Sequence, residues 1–310
     1  MHLARTIPLT LLFLAVAACH SGSATPNVAA PDPLAKPLPF DPRVRTGTLE
    51  NGLTYYVEQN AEPQSRAELR LVVKAGSINE SDDQLGLAHV VEHMAFNGTE
   101  HFSGNELVAY IESVGLRFGH HLNAYTSFDE TVYQLQVPTD DPKLLDQGLL
   151  VLSDWANGIL FAEEEVERER GVVLEEWRRT LGAGGRLRDK MLPLTFRDSL
   201  YKDRIPIGTE ESLRGFDREK LVRFYQDWYR PELMAVVAVG DFDPAAVEKK
   251  IAETFAAIPG HSERAQRTYE PVPTDHPTLF GIFVDPEIPQ TTVDLTVKTV
   301  DREGRTYRDY

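Results

Sequence analysis

The stretch SDDQLGLAHVVEHMAFN, residues 81–97, contains the pentad His89-Val-Val-Glu92-His93 and predicts one short helix around which the rest of the chain is organised. Residues four apart lie on the same face of a helix, so His89 and His93 can present two imidazoles to one ion, with Glu92 beside them. The remaining positions are apolar nearly all round, which predicts that the helix is buried.

The boundaries of this helix are also marked in the sequence. Ser81, followed three residues later by Gln84, is a capping-box pattern and predicts the N-terminus. Gly98 suits the left-handed position that follows many helices. We therefore expect the helix to span residues 81–97.

A buried carboxylate needs a partner, and a divalent metal with a bound water would supply one to Glu92. Two histidines at i and i+4 with an adjacent glutamate are the parts of a zinc peptidase site, in which the carboxylate takes a proton from the metal-bound water. The alternative is two packed histidines and a surface glutamate that meet by accident. Their place on a capped, apolar helix favours the metal site.

Composition limits the other possibilities. The 310 residues can form one large domain or two smaller ones. A formal charge of −16 argues against nucleic acid as a partner. Since Cys19 is the only cysteine, an internal disulfide and a cysteine-ligated zinc site are both excluded.

The N-terminus predicts export. Residues 1–18 have the charge and apolar run of a signal peptide and are too short to span a membrane. The string before Cys19 resembles a bacterial lipobox, which predicts lipidation of that cysteine; the alternative is ordinary cleavage after residues 15–17, which would leave a soluble protein. The residue after this cysteine is His20 and not an aspartate, which by resemblance to sorted lipoproteins suggests the outer membrane. Residues 19–43 are predicted to be a flexible tether.

Further along the chain, Asn51-Gly52 predicts a hairpin turn. Apolar patterns and capping residues predict these strands and helices: strands at 67–75, 117–126, 131–137, 234–239, 279–284 and 291–300, and helices at 103–114, 141–157, 162–181, 187–196, 217–229 and from 243 to about 259.

The helix predicted at 162–181 holds the candidates for a third ligand. Glu165, Glu169 and Glu176 lie within about 40° of one another around its axis, whereas Glu175 points about 100° away from Glu176. The alternative is a charged surface helix in which arginines pair with these glutamates, which fits the first turns better than Glu176.

Together these stretches resemble the pitrilysin/insulinase family of zinc peptidases, the inverzincins. The resemblance is carried by GLAHVVEHMAFNGT (86–99), LNAYTSFDETVY (122–133), ERERGVVLEEWR (167–178), RIPIGTEESL (204–213) and YRPELMAVVAVGDFDP (229–244). It implies an α+β fold, a two-layer domain with a mixed, largely antiparallel sheet covered by helices. It also implies a catalytic domain at 44–260, a linker at 261–277 and the start of a second, truncated family domain at 278–310.

By this resemblance His89, His93 and Glu176 are ligands of one Zn²⁺ ion per chain, and Glu92 is the general base. Glu169 corresponds to a second catalytic carboxylate that supports the site. One departure concerns spacing: Glu176 lies 83 positions after His93, several more than the family leads us to expect, whereas Glu169 lies 76 after it. The local motif favours Glu176, since loops absorb insertions more easily than the surroundings of a ligand do.

The resemblance further implies that Asn123, Ala124 and Tyr125 form an edge strand that pairs with an extended peptide substrate. We therefore expect a zinc endopeptidase of peptides or unfolded segments, lipid-anchored in the periplasm. Family members are clamshells of repeated domains, so full activity is expected to need a complementary half. The alternative is a non-catalytic, peptide-binding or scaffold half.

Overall fold

The structure is a computed structural model and describes residues 36–260 and 267–298. The described residues from Phe40 onward belong to one compact unit. The predicted signal peptide, Cys19 and residues 19–35 of the predicted tether lie outside the described residues. No helix within the described ranges is long and apolar enough to cross a membrane.

One six-stranded sheet forms the framework. Its strands are β1 (Arg45–Thr48), β2 (Thr54–Gln59), β3 (Arg66–Val73), β4 (Leu122–Thr126), β5 (Thr131–Pro138) and β6 (Met234–Gly240). Their order across the sheet is β1-β2-β6-β3-β5-β4. The β2–β6 pair is parallel and the other pairs are antiparallel. The predicted mixed, largely antiparallel sheet is thus confirmed, with β4 at one edge.

Eight α-helices accompany the sheet in the described residues. They are α1 (Leu87–Met94), α2 (Glu106–Ser113), α3 (Pro142–Asn157), α4 (Glu163–Arg179), α5 (Ala183–Thr195), α6 (Glu210–Gly215), α7 (Arg218–Trp228) and α8 (Pro244–Phe255). Three begin as the sequence predicts, because the side chains of Asp141, Asp217 and Asp243 accept hydrogen bonds at the starts of α3, α7 and α8. The α+β fold class is confirmed.

The core lies between the sheet and helices α3 and α8. Leu69 and Leu71 of β3 are buried, while the alternate residue Arg70 faces outward, as expected for a sheet covered on one face. At Gly148 of α3 an added Cβ would lie 2.7 Å from Leu69 Cδ1, so any side chain at this position would have to displace Leu69. Trp155 of α3 stacks on Tyr133 of β5 and fixes the helix against that strand.

The two strands predicted near the C-terminus are wrong. Residues 279–284 and 291–298 are described and form no strand, while residues 299–300 lie outside the described range. Their alternating apolar residues are instead exposed, with 89% of Phe280, 93% of Ile282 and 91% of Leu295 accessible. An apolar alternation predicts a strand only where a neighbouring strand supplies hydrogen bonds and packing, and the described residues supply neither here.

Candidate metal centre

Helix α1 carries the pentad, but it begins at Leu87, six residues later than the capping box predicts. Ser81 and Gln84 do bond to each other, with the Ser81 N–H 3.2 Å from Gln84 Oε1, yet they form a turn before the helix. The chain bends at Gly86, whose φ of +92° is in the left-handed region that favours glycine. The helix can start only after this bend.

A buried carboxylate replaces the predicted cap. Glu80 accepts hydrogen bonds from the N–H groups of Gly86 at 2.9 Å and Ala88 at 2.8 Å. Arg204 Nε donates to the Glu80 carbonyl oxygen at 3.1 Å and so fixes this residue. Because free N–H groups at a helix start need acceptors and favour negative charge, Glu80 stabilises the start of α1 two residues before His89.

Two histidines and one glutamate converge beside the sheet edge. His89, His93 and Glu176 each offer one ligand atom, and these atoms lie within 4.8 Å of one another. Oε2 of Glu176 is 3.8 Å from His89 Nε2 and 3.5 Å from His93 Nε2. Helix α4 contacts α1 and thereby brings Glu176 to the histidines.

Glu169 lies about two helical turns before Glu176 on α4. Its Oε2 lies 3.0 Å from Nδ1 of His93, the ring nitrogen opposite to the one that faces Glu176. Glu169 is buried, whereas 46% of the Glu176 side chain is accessible. A carboxylate on the far nitrogen of a histidine holds the ring and selects the tautomer, which leaves Nε2 available as a ligand.

This arrangement fits zinc. Two ligand atoms that each lie at ~2.0–2.1 Å from a tetrahedral zinc ion are roughly 3.4 Å apart, close to the 3.5 Å and 3.8 Å distances from Glu176. Two imidazoles and one carboxylate are also the ligands of many catalytic zinc sites, which keep a fourth position open. Nδ1 of His89 is buried and has no hydrogen-bond partner among the residues that the structure describes.

The protonation of the two rings differs. Burial and the charge of His93 lower the pKa of His89 to about 4. Burial opposes a charge on His93 as well, but Glu169 and Glu176 outweigh it and raise the pKa of His93 to about 9.

Glu92 is buried beside the histidines, and its Oε2 accepts a hydrogen bond of 2.6 Å from the hydroxyl of Thr126. Burial raises the pKa of Glu92, and the hydrogen bond from Thr126 lowers it. No motif in the sequence singled out Thr126 as part of the site. The signal for it was the strand alternation, which places Leu122, Ala124 and Thr126 on the face of β4 that turns inward.

A cleft of about 890 Å³ opens over these groups. It is lined by both histidines, Glu92, Glu169 and Glu176, and by the predicted substrate strand, Asn123, Ala124 and Tyr125 of β4. Since β4 is an edge strand, one side of its backbone has no strand partner within the described residues. An extended peptide could pair there within reach of the histidines.

Two other groups lie apart from the centre. Glu165, part of the predicted carboxylate stripe, pairs with Arg168 and does not line the cleft. This matches the alternative interpretation for the first turns of α4. His121 accepts a hydrogen bond from the backbone N–H of Arg117 at 3.1 Å, outside the cleft.

Comparison with known proteins gives two family matches. Residues 55–195 match the profile described as insulinase, peptidase family M16. Residues 215–310 match the profile described as the peptidase M16 inactive domain. Among solved structures, the first half of the periplasmic protease PqqL from Escherichia coli superposes with a TM-score of 0.74 at 38% identity, over 77% of this chain and 51% of that one.

Curated relatives agree with these matches. A zinc protease PQQL-like protein of Arabidopsis thaliana is 41% identical over 265 residues, which cover 85% of this chain and 28% of the relative. A probable zinc protease PqqL of Haemophilus influenzae is 39% identical over 252 residues, which cover 81% of this chain and 26% of the relative. The chain therefore spans about a quarter of the length of these relatives.

Proposed function

The chain belongs to the insulinase family of peptidases, family M16, and we propose that it is the zinc-binding catalytic part of an endopeptidase that hydrolyses peptides or unfolded segments. The observation that carries this proposal is the convergence of His89, His93 and Glu176 within 4.8 Å beside the buried Glu92. Relatives named as zinc proteases support the choice of metal and reaction.

In this proposal His89, His93 and Glu176 hold one zinc ion, and Glu169 holds the ring of His93. When bound, zinc lowers the pKa of a water molecule to about 7 and polarises a carbonyl group. Glu92 is the general base: one carboxylate oxygen accepts the proton of the attacking water and later delivers it to the leaving amine. The raised pKa of Glu92 suits a group that must both accept and release a proton near neutral pH.

The edge strand supplies the substrate site. A peptide that adds to β4 beside Asn123, Ala124 and Tyr125 would be held by backbone hydrogen bonds, which require an extended chain and little sequence specificity. Folded proteins do not offer such a segment. We therefore assign peptides and unfolded segments as the substrate class.

We also propose that residues 44–260 form the catalytic domain and that residues 278–310, after a linker at 261–277, begin a second family domain. The match of residues 215–310 to the M16 inactive domain supports the presence of further family sequence. A complementary half, as a partner or as downstream sequence, would close the cleft. The signal-like residues 1–18 and Cys19 support export and a lipid anchor to the outer membrane, and the similar Escherichia coli protein is described as periplasmic.

The experiment that tests the function is Glu92→Gln. The amide cannot accept the proton, so we expect nearly complete loss of peptide cleavage with an unchanged fold and full zinc content. Glu175→Gln is the matched control, because Glu175 is an exposed glutamate that bonds to Arg178 at 3.1 Å away from the cleft. Cleavage at the wild-type rate by Glu92→Gln would refute the mechanism. Zinc binding without cleavage in any preparation would favour the non-catalytic, peptide-binding half.

A further inference from the structure

The hydroxyl of Thr126 contacts the proposed base, Glu92. It lies 2.6 Å from Glu92 Oε2, and Glu92 is buried. A hydrogen bond to a charged carboxylate is stronger than one between neutral groups, and here it joins the pentad helix to the edge strand. We propose, as an extension of the function proposed above, that Thr126 is a positioning residue that orients Glu92 and links that orientation to the strand on which the peptide binds.

The two oxygens of Glu92 become unequal through this contact. Oε2 accepts a hydrogen bond from the Thr126 hydroxyl, so rotation of the carboxylate is restricted. Oε1 is then the oxygen left to accept the proton of the attacking water. Glu92 and Thr126 both line the cleft, so their hydrogen bond lies in the proposed peptide site. A base held in one rotamer reacts faster than one that samples several, because the reactive geometry is already formed.

The backbone of Thr126 is itself fixed. Thr126 pairs with Thr131 in the β4–β5 ladder, and the Thr131 hydroxyl donates to the Ala75 carbonyl at 3.0 Å. The turn that follows is held as well, since the Ser127 carbonyl accepts the Ser77 N–H at 3.1 Å. The inner edge of β4 is therefore anchored, while its outer edge is the proposed peptide site.

The place of Thr126 on β4 also links Glu92 to peptide binding. A peptide that pairs with β4 extends the sheet by one strand and restrains the main chain of residues 123–126. The same restraint acts on the Thr126 side chain and so on Glu92. The base is thus held most firmly when a substrate lies on the strand.

The test compares Thr126→Val, which keeps the shape and removes the hydroxyl, with Thr126→Ser, which keeps the hydroxyl. The matched control is Thr46→Val, which makes the same change at an exposed threonine of β1, the strand at the opposite edge of the sheet from β4. We expect Thr126→Val to lower kcat by about 10- to 100-fold, the usual effect of losing an orienting partner. KM, zinc content and the unfolding midpoint should stay near wild type. Thr126→Ser should restore most of kcat.

An infrared measurement reads the contact without turnover. Subtracting the spectrum of Glu92→Gln from that of each protein isolates the carboxylate bands of Glu92. We expect these bands to shift in Thr126→Val and to keep their wild-type positions in Thr126→Ser and Thr46→Val.

The inference is overturned if Thr126→Val keeps wild-type kcat, if Thr126→Ser is as slow as Thr126→Val, or if Thr46→Val loses as much kcat as Thr126→Val. An unchanged Glu92 band in Thr126→Val would also overturn it. If the wild-type protein cleaves no peptide even when a complementary half is supplied, the proposed function fails instead, and the infrared comparison alone then decides whether Thr126 orients Glu92.

Discussion

Replacing Glu176 and Glu169 separately by glutamine should distinguish the third ligand from its supporting carboxylate. Glu176 faces Nε2 of both histidines at 3.5 Å and 3.8 Å, whereas Glu169 faces Nδ1 of His93 at 3.0 Å. The two variants remove the same charge from the same helix. A difference between them therefore reports position and not overall electrostatics.

The expected magnitudes follow from these positions. A four-ligand structural zinc site binds with ~10–16 kcal/mol, or about 2.5–4 kcal/mol per ligand, which corresponds to a loss of roughly 70- to 1000-fold in affinity when one ligand is removed. We expect Glu176→Gln to fall in this range. Glu169→Gln removes only the partner of a ligand, for which the usual loss is ~10- to 100-fold, and it should lower the cleavage rate more than the zinc content.

The assay is competition for zinc with a chromogenic chelator, followed by metal analysis after dialysis. Glu175→Gln again serves as the control and should bind zinc as the wild type does. The account is refuted if Glu169→Gln empties the site while Glu176→Gln retains its zinc. In that case the spacing of 76 positions from His93 identifies the ligand, and the local motif around Glu176 does not.

Three further predictions concern other parts of the chain. His101 Nδ1 lies 2.7 Å from Oδ1 of the buried Asp154, which raises the pKa of His101. Because the folded pKa is higher than the unfolded pKa, the stabilisation is present below the unfolded pKa and is lost as pH rises through the folded pKa. Urea unfolding should therefore separate wild type from His101→Gln at about pH 6 and no longer at about pH 9, and an equal difference in unfolding free energy at both pH values would contradict this. Cys19→Ser should change a membrane-associated protein into an unprocessed or soluble one, and a mutant that is processed normally and still sediments with membranes would exclude lipidation at Cys19. The 310-residue chain alone should show little peptidase activity until a complementary half is added, because donors to a developing oxyanion are worth ~2.7–4 kcal/mol each and the family's opposing half supplies them. Full activity of the monomer would show that the half is dispensable. The exposed Ile282 and Leu295 should also make the chain associate, so replacing both by serine should lower its light scattering.

Local signals in the sequence predicted much of the fold. The hairpin around Asn51-Gly52 forms as expected, with Gly52 at φ +95°, because the turn residues alone determine it. Helices α3, α7 and α8 begin at their predicted aspartates for the same reason. Where a signal needed a distant partner it failed, as in the apolar alternation of residues 279–298, which lacks a neighbouring strand.

The start of α1 shows how a tertiary contact overrides a local one. The bond between Ser81 and Gln84 exists, but Gly86 lies against Gly208, where an added Cβ would be 3.0 Å from the Gly208 Cα. Gly208 is more than 100 positions away from Gly86 in the sequence. No pattern within residues 81–97 could reveal this contact or the cap from Glu80.

The candidate site was also only partly predictable from the sequence. The i, i+4 spacing predicted that His89 and His93 lie together, and the stripe on α4 predicted that a carboxylate could join them. Which ring nitrogen each glutamate faces depends on how α1 and α4 pack, so the choice of Glu176 as the ligand rested on the local motif, against the spacing that favoured Glu169. The contact of Thr126 with Glu92 depends on the register of β4 against β5, which the sequence also leaves open.

Zinc titration of the metal-free protein tests the central claim most directly. Zinc is removed with a chelator and added back in steps, while bound zinc and peptide cleavage are measured together, in the 310-residue chain or in its combination with a complementary half, whichever cleaves peptide. Cleavage should rise in proportion to bound zinc and saturate at one ion per chain, and His89→Ala and His93→Ala should bind none at this site. Cleavage that persists without zinc, or that survives in the histidine variants, would contradict the account.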